Sequence, residues 1–392
     1  MDFMERREIL KAFLDSGYQL DLKSLEFLEK NPNKISNLLE KLKPLNISTV
    51  TFDIIENLTK PVEFRILRDF SQKEKTYTVE NFVKFFNNRY EQMKKLIIQK
   101  TNLVNLISIN KISDKTKKFS LIGMVREKNL EDNSIIIEDG TGESKINFSE
   151  VNDFNFIVPD EVIGLVCEKQ VDEIYVNKTI WPDIPLRKEI ARSANEIYCL
   201  FISDFHFDSK EFKRNSYEKF LDWISKTDYR NFYIFILGDI SSNKTEVKNF
   251  LDELPKQNIF FLKGEIDEVL DLENFLNNPS IIKIQDVTIF LSHGDIFSEY
   301  MKMWNLSPEN IYLNLIKKRH LNPVFDFSKK IYDEDPYFLD IVPDIFVSGH
   351  FHSPGIMNYK GTTIISNGSF VTEPIFWLIN LKTRETFKLD FT

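Results

Sequence analysis

Cysteine is nearly absent from this chain. Its 392 residues contain two, Cys167 and Cys199, both within apolar runs. Two isolated thiols exclude a disulfide framework and a cysteine-built zinc site, and they suit a reducing cytosol. Glycine and proline are also few, at 12 and 14. With Lys, Asn and Ile plentiful, this reads as AT-rich coding rather than an unusual fold. No apolar run approaches ~18 residues, so no membrane span is expected. Met1 to Arg7 is charged and lacks an apolar h-region, so no signal peptide is expected and the predicted location is cytoplasmic. An excess of positive charge is missing too. The net charge is −9, which excludes a polybasic nucleic-acid binder of the usual kind.

What the chain does contain is ordinary for a globular protein with a real core: 42% hydrophobic and 28% charged residues. Its length allows two or three domains. Charge is uneven along it. Residues 1–100 carry 18 Lys+Arg against 15 Asp+Glu, residues 101–200 carry 12 against 17, and residues 201–392 carry 21 against 28. The acidic C-terminal half also holds the histidines, a combination that suits bound cations. Only five histidines occur, and four of them (His206, His293, His350 and His352) follow apolar runs beside Ser, Asp or Gly.

The periodicity divides the chain. Residues 2–48 read as short amphipathic helices, with Gly17 placed to end the first and Asp21 or Ser24 to cap the second. Val50–Ile55 reads as a short strand within a mixed, charged connector. An aromatic-striped helix is predicted over residues 78–99. Five short strands between Leu103 and Pro185, with a turn at Asp139-Gly140-Thr141-Gly142, predict a small barrel such as an OB fold. Those strands are poor in basic and aromatic residues, which favours a structural or protein-contact role over strand binding. From Glu196 onward, strands at 197–203, 232–237, 259–262, 281–284, 288–292, 345–348 and 363–366 alternate with helices at 217–225, 245–253 and 270–276, the α/β signature. Residues 298–342 read as an insertion, helical around 301–316, and Phe387 to Phe391 as a last strand. The boundaries follow: a helical N-terminal domain over 1–60, a linker with the amphipathic helix over 61–102, a barrel over 103–190, and an α/β domain over 195–392.

Within that last domain nearly every strand ends in polar residues: Asp204-Phe-His206, Gly238-Asp239, Gly264-Glu265, His293-Gly294 and Gly349-His350-Phe-His352. Carboxyl ends of strands are where α/β folds place ligands. Carboxylates and imidazoles converging there would form a two-metal site, with a bridging carboxylate between the cations. That donor set suits Mn, Fe, Zn or Co better than Mg alone. Together, in this order, the five fragments point to metal-dependent phosphoester chemistry.

These residues resemble the calcineurin-like metallophosphoesterase superfamily, whose motifs run D-x-H, G-D, G-N-H-[DE], H and G-H-x-H. The likeness extends further to the small-subunit family of archaeal family-D DNA polymerases, through Thr78–Leu96, Val162-Ile-Gly164, Ile180–Pro185, Ser203–Phe212 and Lys317–Pro323. The resemblance implies a multidomain protein: a helical N-terminal region, an OB-fold barrel and a four-layer α/β/β/α phosphoesterase domain. It implies two divalent cations, Mn2+ first with Fe, Zn or Mg as alternatives. One would be held by Asp204, His206, Asp239 and His352, the other by Asp239, His293, His350 and Glu265. It further implies a 3′-to-5′ proofreading exonuclease in a replicative polymerase. The partners would be a large catalytic subunit, DNA and a sliding clamp, at the nucleoid. Two positions depart from the pattern. Glu265 stands where the family has Asn, and Ile266 stands where it has the His that helps in the transition state. Isoleucine can neither stabilise charge nor move a proton, so the competing expectation is a catalytically weakened or inactive scaffold subunit. Asp208 also replaces a usual Gly, and Ser242 stands near a usual Asp or Asn. His320, the fifth histidine, is expected to pack.

Overall fold

The structure is a computed structural model. It describes residues 6–43, 47–59, 63–70, 74–100, 103–149, 151–186, 189–227, 231–254, 258–268, 274–326 and 330–392. At the start lie α1 (Arg6–Asp15), β1 (Gln19–Leu20), α2 (Leu22–Lys30), α3 (Ile35–Leu42), β2 (Thr49–Val50) and α4 (Phe52–Thr59). Their apolar stripes meet in a core that includes Ile9, Phe13, Leu25, Leu28, Leu38 and Ile55. Asp21 caps α2 by accepting from Ser24 N at 2.7 Å. The strand expected over 50–55 is mostly helix: only Thr49–Val50 pair, and the chain then coils so that Ile55 enters the helical core. The β-branched pair Ile54-Ile55 suggested a strand, but tertiary packing overrides so short a propensity signal.

The charged connector holds β3 (Phe64–Asp69), and the long helix α5 (Val79–Lys100) follows. Thr78 Oγ1 accepts from Asn81 N at its start. The buried face of α5 lays Met93 and Ile97 against the barrel residues Ile122, Met124, Val162 and Ile180. The barrel comprises β4 (Lys118–Asn129), β5 (Ser134–Asp139), β6 (Gly142–Asn147), β7 (Val162–Gln170) and β8 (Glu173–Ile180), with the short α6 (Val151–Phe154) between β6 and β7. It is closed in the order β4-β5-β6-β8-β7.

Two six-stranded sheets follow. The first contains β9 (Tyr198–Ile202), β10 (Phe232–Ile236), β11 (Ile259–Leu262) and β12 (Phe275–Leu276). It is completed by β18 (Ile375–Asn380) and β19 (Thr386–Asp390), in the order β12-β11-β10-β9-β18-β19. The second contains β13 (Ser280–Ile284), β14 (Val287–Ser292), β15 (Ile345–Ser348), β16 (Gly355–Tyr359) and β17 (Thr362–Ser366), in the order β16-β17-β15-β14-β13-β3. The connector strand β3 is therefore an edge of this sheet. Helices α7 (Arg214–Ser225) and α8 (Lys244–Glu253) cover the first sheet, and α9 (Ser298–Trp304) and α10 (Pro308–Lys318) cover the second.

The strands are apolar on both faces because both faces are buried. In β9, Cys199 and Phe201 point into the core between the sheets, while Leu200 and Ile202 meet α7 and α8. In β15, Ile345 and Val347 face the inter-sheet core and Phe346 faces α10. The four layers run helix, sheet, sheet, helix. The helix expected over 270–276 is not formed where it can be described: Phe275 and Leu276 pair with Phe261 and Leu262 as a strand, and residues 270–273 lie outside the described residues.

Candidate two-metal centre

Strands β9 and β10 run parallel, as do β14 and β15. Their carboxyl ends therefore deliver Asp204-Phe205-His206, Asp239, His293 and His350-Phe351-His352 to one place. The i, i+2 spacing has a mechanical reason. In the first loop the intervening Phe205 is fully buried, its ring 4.5 Å from Phe250 and 5.0 Å from Phe370. That anchor turns Asp204 and His206 together toward the cluster. Five of the six donors (Asp204, His206, Asp239, His350 and His352) have φ between +49° and +72°. Left-handed backbone at non-glycine residues is costly, and it gathers at sites the surrounding fold over-determines.

The six side chains form two groups, Asp204 with His206 and His352, and Asp239 with His293 and His350. Within each, the donor atoms lie within 4.8 Å of one another. His350 and His352 thus part company, one to each group. In the first group His206 Nε2 and His352 Nε2 are 3.1 Å apart, and His352 Nε2 is 3.3 Å from Asp204 Oδ1. In the second, His293 Nε2 lies 3.4 Å from Asp239 Oδ2, and His350 Nδ1 lies 3.2 Å from His293 Nε2. Asp239 Oδ2 is also 3.7 Å from His206 Nε2, so this carboxylate stands between the groups. Glu265, expected in the second group, is exposed and joins neither; its charge acts on His350 from outside.

The electrostatics ask for cations. Asp204 Oδ1 is buried with no hydrogen-bond partner, an expensive condition for a carboxylate oxygen unless a positive charge faces it. Burial disfavours charge on Asp239, but hydrogen bonding and charge from His293 outweigh it and hold the carboxyl down to about 2. Burial likewise opposes a charged His293, yet Asp239 and Asp204 raise it to about 10. Burial and the neighbouring His293 lower His350. Imidazole nitrogens and carboxylate oxygens in these two sets fit a pair of first-row divalent cations.

Two residues outside the expected set build the centre. Asp267 accepts from Asp239 N at 2.8 Å, Ile240 N at 2.7 Å and Gly264 N at 2.9 Å. It thereby fixes the turn that aims Asp239; burial pushes its own carboxyl up. Its place as the final acid of the third motif was the signal available in the sequence. Ser298, at the start of α9, has its Oγ 3.0 Å from His350 Nε2, and nothing in the sequence pointed to it. Gly264 is required by space, since a Cβ there would sit 2.2 Å from Asp239 Oδ1. Ile266 contributes through its backbone, donating N–H to Asp239 Oδ1 at 3.1 Å. Asp208 and Ser242, the two other departures, bond to each other: Ser242 Oγ donates to Asp208 Oδ2 at 2.6 Å.

Residues 197–354 match the calcineurin-like phosphoesterase family. Over 94% of this chain and 92% of the relative, the sequence is 24% identical to the DNA polymerase II small subunit of Archaeoglobus fulgidus. To that of Thermoplasma acidophilum it is 27% identical, over 91% of this chain and 87% of the relative. Among solved structures, an archaeal phosphodiesterase is 15% identical with a TM-score of 0.31, over 50% of this chain and 99% of that one. Among the described residues, no helix is long and apolar enough to cross a membrane. The chain thus carries a calcineurin-like phosphoesterase domain and resembles, along nearly its whole length, the small subunits of archaeal DNA polymerase II.

Proposed function

We propose that this chain is the small subunit of a family-D-type replicative DNA polymerase, and that its α/β domain hydrolyses DNA phosphodiesters from the 3′ end. The observation that carries the reading is the position of Asp239 between two donor groups, in a chain that matches such subunits end to end rather than in one domain. Asp204, His206, Asp239 and His352 would hold one divalent cation, and Asp239, His293 and His350 the other; Mn2+ is the first choice. When bound, such a pair lowers the pKa of water and stabilises charge on a phosphoryl group. The chain's own residues do the rest. Asp267 holds the Asp239 backbone N–H and the Ile266 N–H holds its carboxylate at Oδ1, and His206 and His352 line the more open side. The side chain of Ile266 cannot handle a proton, so turnover would be slower than with histidine there, by roughly 10²–10⁴-fold.

The barrel reads as an OB fold. Its support is the strand order β4-β5-β6-β8-β7 with α6 between the third and fourth strands. In this reading the helical domain ends near residue 60, the barrel spans 103–190 and the phosphoesterase domain 195–392, with β3 donated from the linker. The partners are a large catalytic subunit and DNA, with a sliding clamp as a further contact, in the cytoplasm.

The test uses purified chain, 3′-labelled single-stranded DNA and Mn2+. Cleavage that disappears in Asp239→Ala and His352→Ala supports the reading. Absence of cleavage at high enzyme, or cleavage indifferent to both substitutions, sinks the nuclease and leaves a scaffold. Failure to co-purify with a large polymerase chain sinks the subunit assignment separately.

A further inference from the structure

Each histidine of the second, inner group (Asp239, His293 and His350, as against the more exposed outer group of Asp204, His206 and His352) is gripped at both ring nitrogens. His293 Nδ1 lies 2.8 Å from the Leu237 carbonyl oxygen, which can only accept. The Nδ1 therefore carries the proton, and Nε2 faces Asp239 with its lone pair when the ring is neutral. His350 is held the opposite way round: Nδ1 faces the cluster beside His293 Nε2, and Nε2 faces Ser298 Oγ at 3.0 Å.

We propose that Ser298 is a positioning residue for the cation centre. Its oxygen accepts the Nε2–H of His350 and so selects the tautomer whose Nδ1 lone pair points into the inner group. The inference rests on the two-cation reading and adds a residue to it. A neutral imidazole carries one proton, and the nitrogen that carries it cannot give a lone pair to a cation. A partner that keeps the proton on the far nitrogen also orients the ring, and such partners govern cation affinity.

Both sides of this contact are rigid. The His350 backbone N–H donates to Asp204 Oδ2 at 2.9 Å, in a left-handed conformation with φ of +72°. On the other side, Phe297 is fully buried, with its ring 5.0 Å from Tyr312 and 6.0 Å from Phe346. One turn on, the fully buried Tyr300 donates its hydroxyl to Asn322 Oδ1 at 2.9 Å. Ser298 therefore cannot drift from His350 without disturbing α9. The consequence is that the segment inserted between β14 and β15 is part of the centre.

Five histidines in the whole chain make selective 15N-histidine labelling tractable. Two-bond nitrogen–proton spectra read the tautomers, and titration with Zn2+, a diamagnetic probe, reads the two sites. In the wild type His350 is expected as a single tautomer protonated at Nε2, binding two Zn2+. In Ser298→Ala the tautomers should mix and one Zn2+ should weaken about 10-fold or more, with the other Zn2+ and the Tm unmoved. Ser298→Thr, which keeps the hydroxyl, should restore both. An unchanged His350 tautomer and two unchanged Zn2+ affinities in Ser298→Ala overturn the proposal. His350→Ala separates the levels: loss of one Zn2+ upholds the two-cation reading whatever Ser298 does, and retention of both at wild-type affinity overturns that reading with the proposal.

Discussion

Two buried clusters in this molecule combine aspartate with histidine, and they are opposite in character. Around Asp335 every demand is met from within the chain. Arg89 Nε donates to Asp335 Oδ2 at 2.6 Å, His320 Nε2 lies 2.9 Å from the same oxygen, and Tyr337 N donates to Oδ1 at 3.0 Å. Arg89 Nη1 reaches the carbonyls of Asp160 and Pro323, tying α5 to the barrel and to the inserted segment. His320 Nδ1 accepts from Asn322 N at 3.2 Å. The strand-end cluster has two aspartates and four histidines; among the described residues the ion-pair partners of its aspartates are imidazoles alone, and Asp204 Oδ1 faces only the nitrogens of His352 and His206, at 3.3 and 3.8 Å. One histidine is therefore structural and four are set for a charge that the chain does not supply. Composition alone cannot make that distinction; saturation of the partners does.

That contrast can be broken by experiment. The largest effect expected is from Asp239→Ala: both cations are lost, cleavage falls by at least roughly 10³-fold, and the rise in Tm that Mn2+ produces in the wild type through linkage disappears. Thermal scans with and without Mn2+ read this directly. Asp335→Asn should act the other way round. It strands a buried guanidinium and costs about 3–5 kcal/mol of stability in urea unfolding, yet the folded protein should still gain Tm with Mn2+. If Asp335→Asn abolishes that gain while the fold persists, the two clusters are not separate. A smaller effect is expected from His352→Ala. His352 and His206 are partly exposed, whereas His293 is fully buried, so only the outer cation should weaken, by more than the roughly 10–100-fold typical of outer-shell changes. Calorimetry that shows both cations weakening equally would argue against two groups.

The smallest effect concerns acid. Burial opposes the charged form of Asp335, but Arg89 and His320 outweigh it and place its folded pKa well below the usual value. A depressed carboxyl contributes stability that is present above the unfolded pKa, about 3.9, and is lost as pH falls toward the folded one. Unfolding midpoints should therefore decline below about pH 4 in the wild type, and that decline should be shallower in Asp335→Asn.

Much of the candidate centre is legible in the sequence. Apolar runs ending in Asp-Phe-His, Gly-Asp, His-Gly and Gly-His-Phe-His placed all six donors, because strands buried on both faces leave an unmistakable trace and parallel strands put their ends together. The illegible parts share a cause: their meaning lies in residues far away along the chain. β3 reads Phe-Arg-Ile-Leu-Arg-Asp, a half-polar stretch with no strand signature, and it is a strand only because β13 offers an edge more than 200 residues later. Asp267 is marked in the sequence only as the final acid of the third motif; that it holds the turn shows when the amides of Asp239 and Ile240 close on it. Glu265 looked like a ligand by its place in the motif, yet the turn after β11 leaves it exposed.

The sequence by itself determined which donor atoms exist, in what order, and that two aspartates with four histidines would call for divalent cations rather than a disulfide, a thiol or a polybasic groove. Only the tertiary structure decided the distances within the two groups that the resemblance implied, that Glu265 stays outside them, and which nitrogen of each inner histidine faces inward. The physical reason is that donor chemistry belongs to single residues, whereas lone-pair direction is set by whatever packs against the other side of the ring. Here those neighbours are a carbonyl from β10's end and a hydroxyl from α9.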